Sequence, residues 1–124
     1  PNCPLRDAKD IRGAMKKFNS TGCPSQISVF KFGWMNPWWA FTVDEGKAHS
    51  FLFPGAIKKR SQDLDELYCP TGSIWMAKAK SLKKSKTFYG GGYQFEEIHW
   101  IAAVDIDDYN DLNMALVLAQ NDAK

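Results

Sequence analysis

Ala103-Val104-Asp105-Ile106-Asp107-Asp108-Tyr109-Asn110-Asp111-Leu112 is the stretch on which the reading of this chain turns. An apolar run ends there in two carboxylates spaced i, i+2 and then passes into a helical pattern. In a strand, alternate side chains share a face, so Asp105 and Asp107 are expected to point one way while Ile106 returns to the core. Two hard oxygen ligands on one rigid wall suit Mg²⁺, which takes one or two protein carboxylates and fills its shell with water and substrate phosphates. The competing reading is local: Asp is among the best N-cap residues, and Asp107 or Asp108 caps the helix that follows. Spacing alone leaves both readings open.

Working outward, Tyr93 to Ile98 and Trp100 to Val104 read as strands, and Asp108 to Gln120 as a helix with Leu112, Ala115, Leu116 and Ala119 on one side. Phe88-Tyr89-Gly90-Gly91-Gly92 places two aromatics before glycines that lack dinucleotide-fingerprint spacing and read as a mobile loop. Ala79 to Lys84 is a short basic helix or turn, and Ile74 to Ala77 a short buried strand. Near the start, Asp7 and Asp10 precede Ile11, Ala14, Met15 and Phe18 at helical spacing, giving a helix over residues 8–19 that Gly22 and Pro24 stop. Ser25 to Phe32, β-branched and aromatic, follows as a strand.

Between these halves, Trp39 to Val43 and Ser50 to Phe53 flank the turn Asp44-Glu45-Gly46-Lys47 as an aromatic hairpin. Such a hairpin is packed in its own core or used as an oligomer contact. Pro54 to Leu67 reads as a loop. Its cluster Lys58-Lys59-Arg60 is either an ordinary solvated face or an anion-binding wall, where Arg60 holds a carboxylate or phosphate bidentately and the Gln62 amide meets hydroxyls. Loosely alternating helices and strands with one inserted hairpin predict a single α/β domain over residues 1–124, a mixed sheet with flanking helices.

The totals exclude few classes. At 124 residues with 44% apolar and 24% charged, the chain has globular composition, and its net charge of +2 is too mild to point to nucleic acid. Cys3, Cys23 and Cys69 are odd in number and form no metal-ligand spacing, which predicts reduced thiols. No apolar run approaches the roughly 20 residues of a membrane helix, so a cytoplasmic location without membrane contact is expected. His49 and His99 stand apart from any catalytic partner and read as structural. The opening, Pro1-Asn2-Cys3-Pro4-Leu5-Arg6, lacks a Met and reads like the middle of a loop, so an upstream segment is expected.

Three local patterns occur in a telling order: Pro4-Leu5-Arg6 before a helix; Arg60-Ser61-Gln62-Asp63-Leu64 with Tyr68 and Thr71-Gly72-Ser73-Ile74-Trp75; and Thr87-Phe88-Tyr89-Gly90 before Val104-Asp105-Ile106-Asp107 and Asp111-Leu112. Over residues 1–120 this succession resembles the carboxy-terminal half of the CMP-sialic acid synthetases, the acylneuraminate and nonulosonate cytidylyltransferases. The resemblance implies a nucleotide-diphospho-sugar transferase fold and transfer of CMP from CTP to the anomeric hydroxyl of a nine-carbon sugar acid, with release of pyrophosphate. Asp105 and Asp107 are then the catalytic pair, binding Mg²⁺ and orienting the attacking hydroxyl. Arg60 and Gln62 face the sugar acid, Phe88 and Tyr89 pack on its N-acyl group, Trp75 lines the same pocket, and Arg6 approaches the nucleotide. Residues 39–53 become a homodimerisation hairpin.

The departures from that family pattern are Cys3 for the Ser of S-P-L-R, Ser61 for the second Arg of R-R-Q, Thr71-Gly72-Ser73 for N-G-A, and Asp108 for the Thr after D-I-D. The glycine-rich basic loop that holds the CTP triphosphate belongs to the family's amino-terminal half, and no such cradle is legible in residues 1–124. The isolated chain is therefore expected to be inactive. The alternative is a non-catalytic remnant or mobile-gene product that binds a sugar or nucleotide or serves as an oligomeric interaction module.

Overall fold

The computed structural model describes residues 2–121, and the backbone forms two compact units, Pro1–Phe30 with Cys69–Lys124, and Lys31–Tyr68. In the first unit, α1 spans Ala8–Thr21. Its start is a reciprocal cap: the Asp7 carboxylate accepts from the Lys9 and Asp10 amides at 2.7 and 3.0 Å, and the Asp10 carboxylate accepts from the Asp7 amide at 2.9 Å. Its end is Gly22 at φ 65°, a left-handed cap whose amide donates to the Phe18 carbonyl. Of the apolar face expected from the spacing, Ala14 is buried while Met15 is half-exposed.

The chain then enters β1 (Ser25–Lys31), the central strand of a three-stranded mixed sheet. On one side β1 pairs parallel with a strand at Gln94–Glu97, from Gln26 opposite Gln94 to Val29 opposite Glu97. On the other lies the strand Tyr68–Ala77. Lys78 N–H donates to the Pro24 carbonyl and Ile74 N–H to the Ser28 hydroxyl, both at 2.9 Å, so these two strands run in opposite directions. In chain order the remaining elements are β2 (Phe41–Asp44), β3 (Lys47–Phe51), β4 (Tyr68–Ala77), α2 (Ala79–Ser85), β5 (Gln94–Glu97) and α3 (Tyr109–Gln120).

A central strand is covered on both faces, and Ser25, Gln26, Ile27, Ser28 and Val29 are all buried. Polar groups there need partners, because an unpaired buried one costs about 1–3 kcal/mol. The Ser25 hydroxyl donates to the Phe88 carbonyl at 2.5 Å, Gln26 Nε2 to the Ala14 carbonyl of α1 at 2.9 Å, and the Ser28 hydroxyl to the Thr71 carbonyl at 3.3 Å.

Residues 100–104 are not the strand that their apolar run predicts. Trp100–Ala103 is a 3-10 helix, opened by His99, whose Nδ1 accepts from the Ile101 amide at 3.4 Å. The reason lies in the composition: Ile101-Ala102-Ala103-Val104 has no apolar-polar alternation, and all four residues are buried. A short apolar run without alternation fits a buried strand and a buried helical turn equally, and here the His99 cap on the Ile101 amide opens the helical turn. Ile98, Ala102 and Ala103 form a core cluster on which Phe30 packs. As a result Asp105 and Asp107 stand on an irregular segment that bends at Asp107, and not on a strand.

Asp108 is the N-cap of α3, accepting from the Asn110 and Asp111 amides at 2.7 and 3.0 Å, while the Asp111 carboxylate accepts from the Asp107 and Asp108 amides at 3.0 and 3.1 Å. Of the expected inward face of α3, only Ala115 is buried, while Leu112 and Leu116 are exposed. Apolar residues lie all around this helix, so periodicity selects no face. The glycine triplet is a packed turn. Tyr93 N–H donates to the Gly90 carbonyl at 3.1 Å, and a Cβ on Gly90 would stand 2.9 Å from Ser85 Cβ.

In the second unit, β2 and β3 form the hairpin, joined through Glu45 at φ 47° and Gly46 at φ 76°. Two successive left-handed residues are what a type I′ turn requires, and Gly supplies the second without steric cost. Phe41 and Phe51 face each other edge-on at 5.6 Å, and the Thr42 and Ser50 hydroxyls meet at 3.1 Å. Trp38 anchors the preceding turn, its indole N–H donating to the Asp65 carbonyl at 2.9 Å and its ring meeting Phe53 at 5.0 Å. Among the described residues no helix is long and apolar enough to cross a membrane.

Candidate functional site

Three segments distant in sequence converge on residues 71–75 of β4. The first is the amino-terminal stretch. Ile106 N–H donates to the Asn2 carbonyl at 3.0 Å, which lays that stretch beside the acidic segment. Cys3 is buried there, and its thiol donates to Asp105 Oδ1 at 3.7 Å. Half-buried Arg6 donates from its guanidinium to the Ser73 carbonyl.

The second segment is the 3-10 helix. Thr71 Oγ1 donates to the Ala103 carbonyl at 3.4 Å and Ser73 Oγ to the Ala102 carbonyl at 3.0 Å. Both hydroxyls are buried, so they hold the wall together and do not face a ligand. The third is the aromatic pair after α2. Trp75 donates from its indole N–H to the Thr71 carbonyl at 2.6 Å and meets Phe88 and Tyr89 edge-on, with ring centroids 5.1 and 5.8 Å away. The rings continue through Tyr93 and Phe95 at 5.5 and 5.4 Å. Trp75 is 40% and Tyr89 45% exposed, which leaves an apolar face open beside the polar wall.

Arg6, Phe88 and Tyr89 are thus tied to the strand that carries Trp75, and Asp105 is joined to the amino-terminal stretch through Cys3, with Asp107 two residues beyond. Burial, and then the charge of Asp105, push the Cys3 thiol above its ordinary 9.0, against smaller opposing effects of Thr71 and Arg6. Cys3 is therefore a neutral hydrogen-bond donor to Asp105 across the physiological range.

Asp105 and Asp107 are both exposed, and neither is in an ion pair among the described residues. No group of three or more His, Cys, Asp or Glu able to hold a metal occurs among those residues. The donor chemistry suits Mg²⁺ nonetheless: two carboxylates with only a weak S–H donor engaged are the share that this ion ordinarily takes from a protein.

Arg60 and Gln62 belong to the other unit. Arg60 places both arms of its fork on Asp63, Nε to Oδ2 at 2.9 Å and Nη2 to Oδ1 at 3.2 Å, so its bidentate geometry is already engaged. Gln62 lines a cleft of about 370 Å³ together with Asn36, Trp38 and Ser61.

Sequence reading missed Cys3, Thr71 and Ser73 as members of this wall. The available signal was that they occupy three of the positions departing from the S-P-L-R and N-G-A patterns. A thiol and two hydroxyls in place of a hydroxyl and an amide signal rewired hydrogen bonding. No family model matches the sequence, and neither does any curated protein.

Proposed function

We propose that this chain carries the acceptor-sugar and metal wall of a cytidylyltransferase-like protein, which in its complete form transfers CMP from CTP to a nine-carbon sugar acid. The observation that carries this reading is that Arg6 and the ring cluster of Trp75, Phe88 and Tyr89 meet on residues 71–75 of β4, while Cys3, three residues before Arg6, holds Asp105. Arg6, Trp75, Phe88, Tyr89 and Asp105 are residues for which the resemblance in sequence gives roles in one site. The same reading implies that the two units are parts of a nucleotide-diphospho-sugar transferase fold.

Each residue has a physical task. Trp75, Phe88 and Tyr89 offer an apolar, edge-packed surface for an N-acyl group. Arg6 spends one N–H on Ser73 and keeps the others for nucleotide phosphate. Asp105 and Asp107 would hold Mg²⁺ and orient the attacking anomeric hydroxyl, and the bound ion would supply charge neutralisation at the phosphates. The triphosphate cradle comes from another segment, so the chain alone releases no pyrophosphate.

The hairpin supplies the partner. Phe41, Val43 and Phe51 are exposed on it, and a second copy of the chain covers them in the homodimer. One observation favours the alternative of a non-catalytic binding remnant: the engagement of Arg60 by Asp63, which competes with a substrate carboxylate.

Thermal unfolding with ligand tests the reading. Mg²⁺ with CMP raises the melting temperature, because a ligand that binds only the native state stabilises it by mass action. N-acetylneuraminate adds to the rise if Arg60 exchanges Asp63 for the sugar carboxylate. No shift with CMP at millimolar concentration overturns the proposal, and pyrophosphate release by the chain alone contradicts the assignment of the cradle to another segment.

A further inference from the structure

Away from the Arg6–Asp105 wall, a cleft of about 420 Å³ opens between α2 and the glycine turn. That volume lies within the range of small-molecule sites. Its wall includes Lys84, Ser81, Ser85, Thr87, Gly90 and Gly91. Lys84 has no acidic partner among the described residues. From residue 67 to residue 95 the sequence contains no Asp or Glu, while Lys78, Lys80, Lys83, Lys84 and Lys86 all fall within it. The last turn of α2 accounts for some of this charge, since Lys83 and Lys84 complement its C-terminal carbonyls. It does not account for the hydroxyls and amides that share the cleft with Lys84.

One of those amides is distinctive. The backbone N–H of Gly91 donates to no group among the described residues, whereas that of Gly90 closes the turn over residues 88–89 onto Thr87. A free amide in a turn is a ready donor to an anion. The turn is held in place: Gly90 lies against Ser85, the Ser85 hydroxyl donates to the Thr87 carbonyl at 2.7 Å, and Thr87 Oγ1 accepts from the Tyr89 amide at 3.1 Å. Ser81 has no hydrogen-bond partner among the described residues. One ammonium, one free amide and a free hydroxyl around a preformed cleft match the acceptor-rich surface of a phosphate group, and the cleft is larger than phosphate alone needs.

We infer that this cleft binds the phosphate of a small phosphorylated metabolite, with Lys84 supplying the charge and the Gly91 amide and the Ser81 hydroxyl the directional hydrogen bonds. The site is separate from the transferase reading, because none of Arg6, Trp75, Asp105 or Asp107 lines the cleft.

The test is a titration of the ¹⁵N-labelled full chain with inorganic phosphate and with glucose 6-phosphate at low ionic strength. The expected result is saturable movement of the Gly91 amide resonance. Lys84→Gln weakens affinity by about tenfold or more, the worth of one charge-assisted hydrogen bond. Lys83→Gln, an equal charge change on the same helix at a residue outside the cleft, changes it less than about threefold, as an exposed charge does. Tighter binding of glucose 6-phosphate than of phosphate assigns the rest of the cleft to the sugar, and equal binding assigns the site to phosphate alone. Absence of saturation at either ligand, or equal losses in the two lysine variants, overturns the inference. Asp105→Asn leaves this titration unchanged, so the two sites fail or stand separately.

Discussion

The thiol of Cys3 donates to Asp105 Oδ1 at 3.7 Å from a buried position, so the acidic segment is anchored to the amino-terminal stretch by a group that must stay protonated. Burial first and the Asp105 charge second raise the thiol pKa above 9.0. The folded state then holds that proton more tightly than the unfolded chain does. The stabilisation is complete below pH 9.0 and declines as the pH climbs toward the folded-state value. Cys3→Ser removes the titration and keeps a donor. Urea unfolding followed from pH 7 to 10.5 is expected to show wild type losing stability faster than C3S above about pH 9 and in parallel with it below. Superimposable alkaline limbs contradict this account.

Ser73 is the joint between β4 and the 3-10 helix. Ser73→Ala leaves the Ala102 carbonyl without its side-chain donor in a buried place, which costs about 1–3 kcal/mol. Gly72→Ala is the control, since nothing stands within 4 Å of a Cβ there and the residue is exposed. It changes stability by less than about 0.5 kcal/mol. Equal losses in the two variants, measured by chemical denaturation, remove the hydroxyl from its role.

The apolar hairpin face carries the oligomer prediction. Phe41→Ser with Val43→Ser removes two exposed apolar side chains whose loss leaves the Glu45-Gly46 turn untouched. Light scattering of the wild-type chain is expected to show a dimer, and the double variant to shift it to monomer at micromolar concentration. A wild-type monomer contradicts the assignment.

Much of the fold is legible in the sequence because its signals are local. The Asp7 and Asp108 caps, the Gly22 stop and the hairpin turn each depend on residues within four positions of one another. What was not legible depends on partners far along the chain. Ile101-Ala102-Ala103-Val104 reads equally as strand or helix, since burial on all sides suits both. Asp105 and Asp107 share a strand face only if that run is a strand, and the 3-10 helix removes that expectation, while the link to Cys3 places Asp105 alone. The glycine triplet looks free in sequence because its packing partners, Ser85 and Pro24, belong to other elements.

Asp105 and Asp107 are proposed to hold a divalent ion beside a nucleotide. Mn²⁺ in place of Mg²⁺ broadens the amide resonances nearest to it, so the ¹⁵N-labelled chain can be titrated with trace Mn²⁺ before and after CMP is added. The account predicts broadening centred on residues 104–107 and reaching residues 3–6 and 71–75, at lower Mn²⁺ once CMP is present, and its loss in Asp105→Asn with Asp107→Asn. Broadening that is spread evenly over the acidic surface, or that ignores CMP, contradicts it.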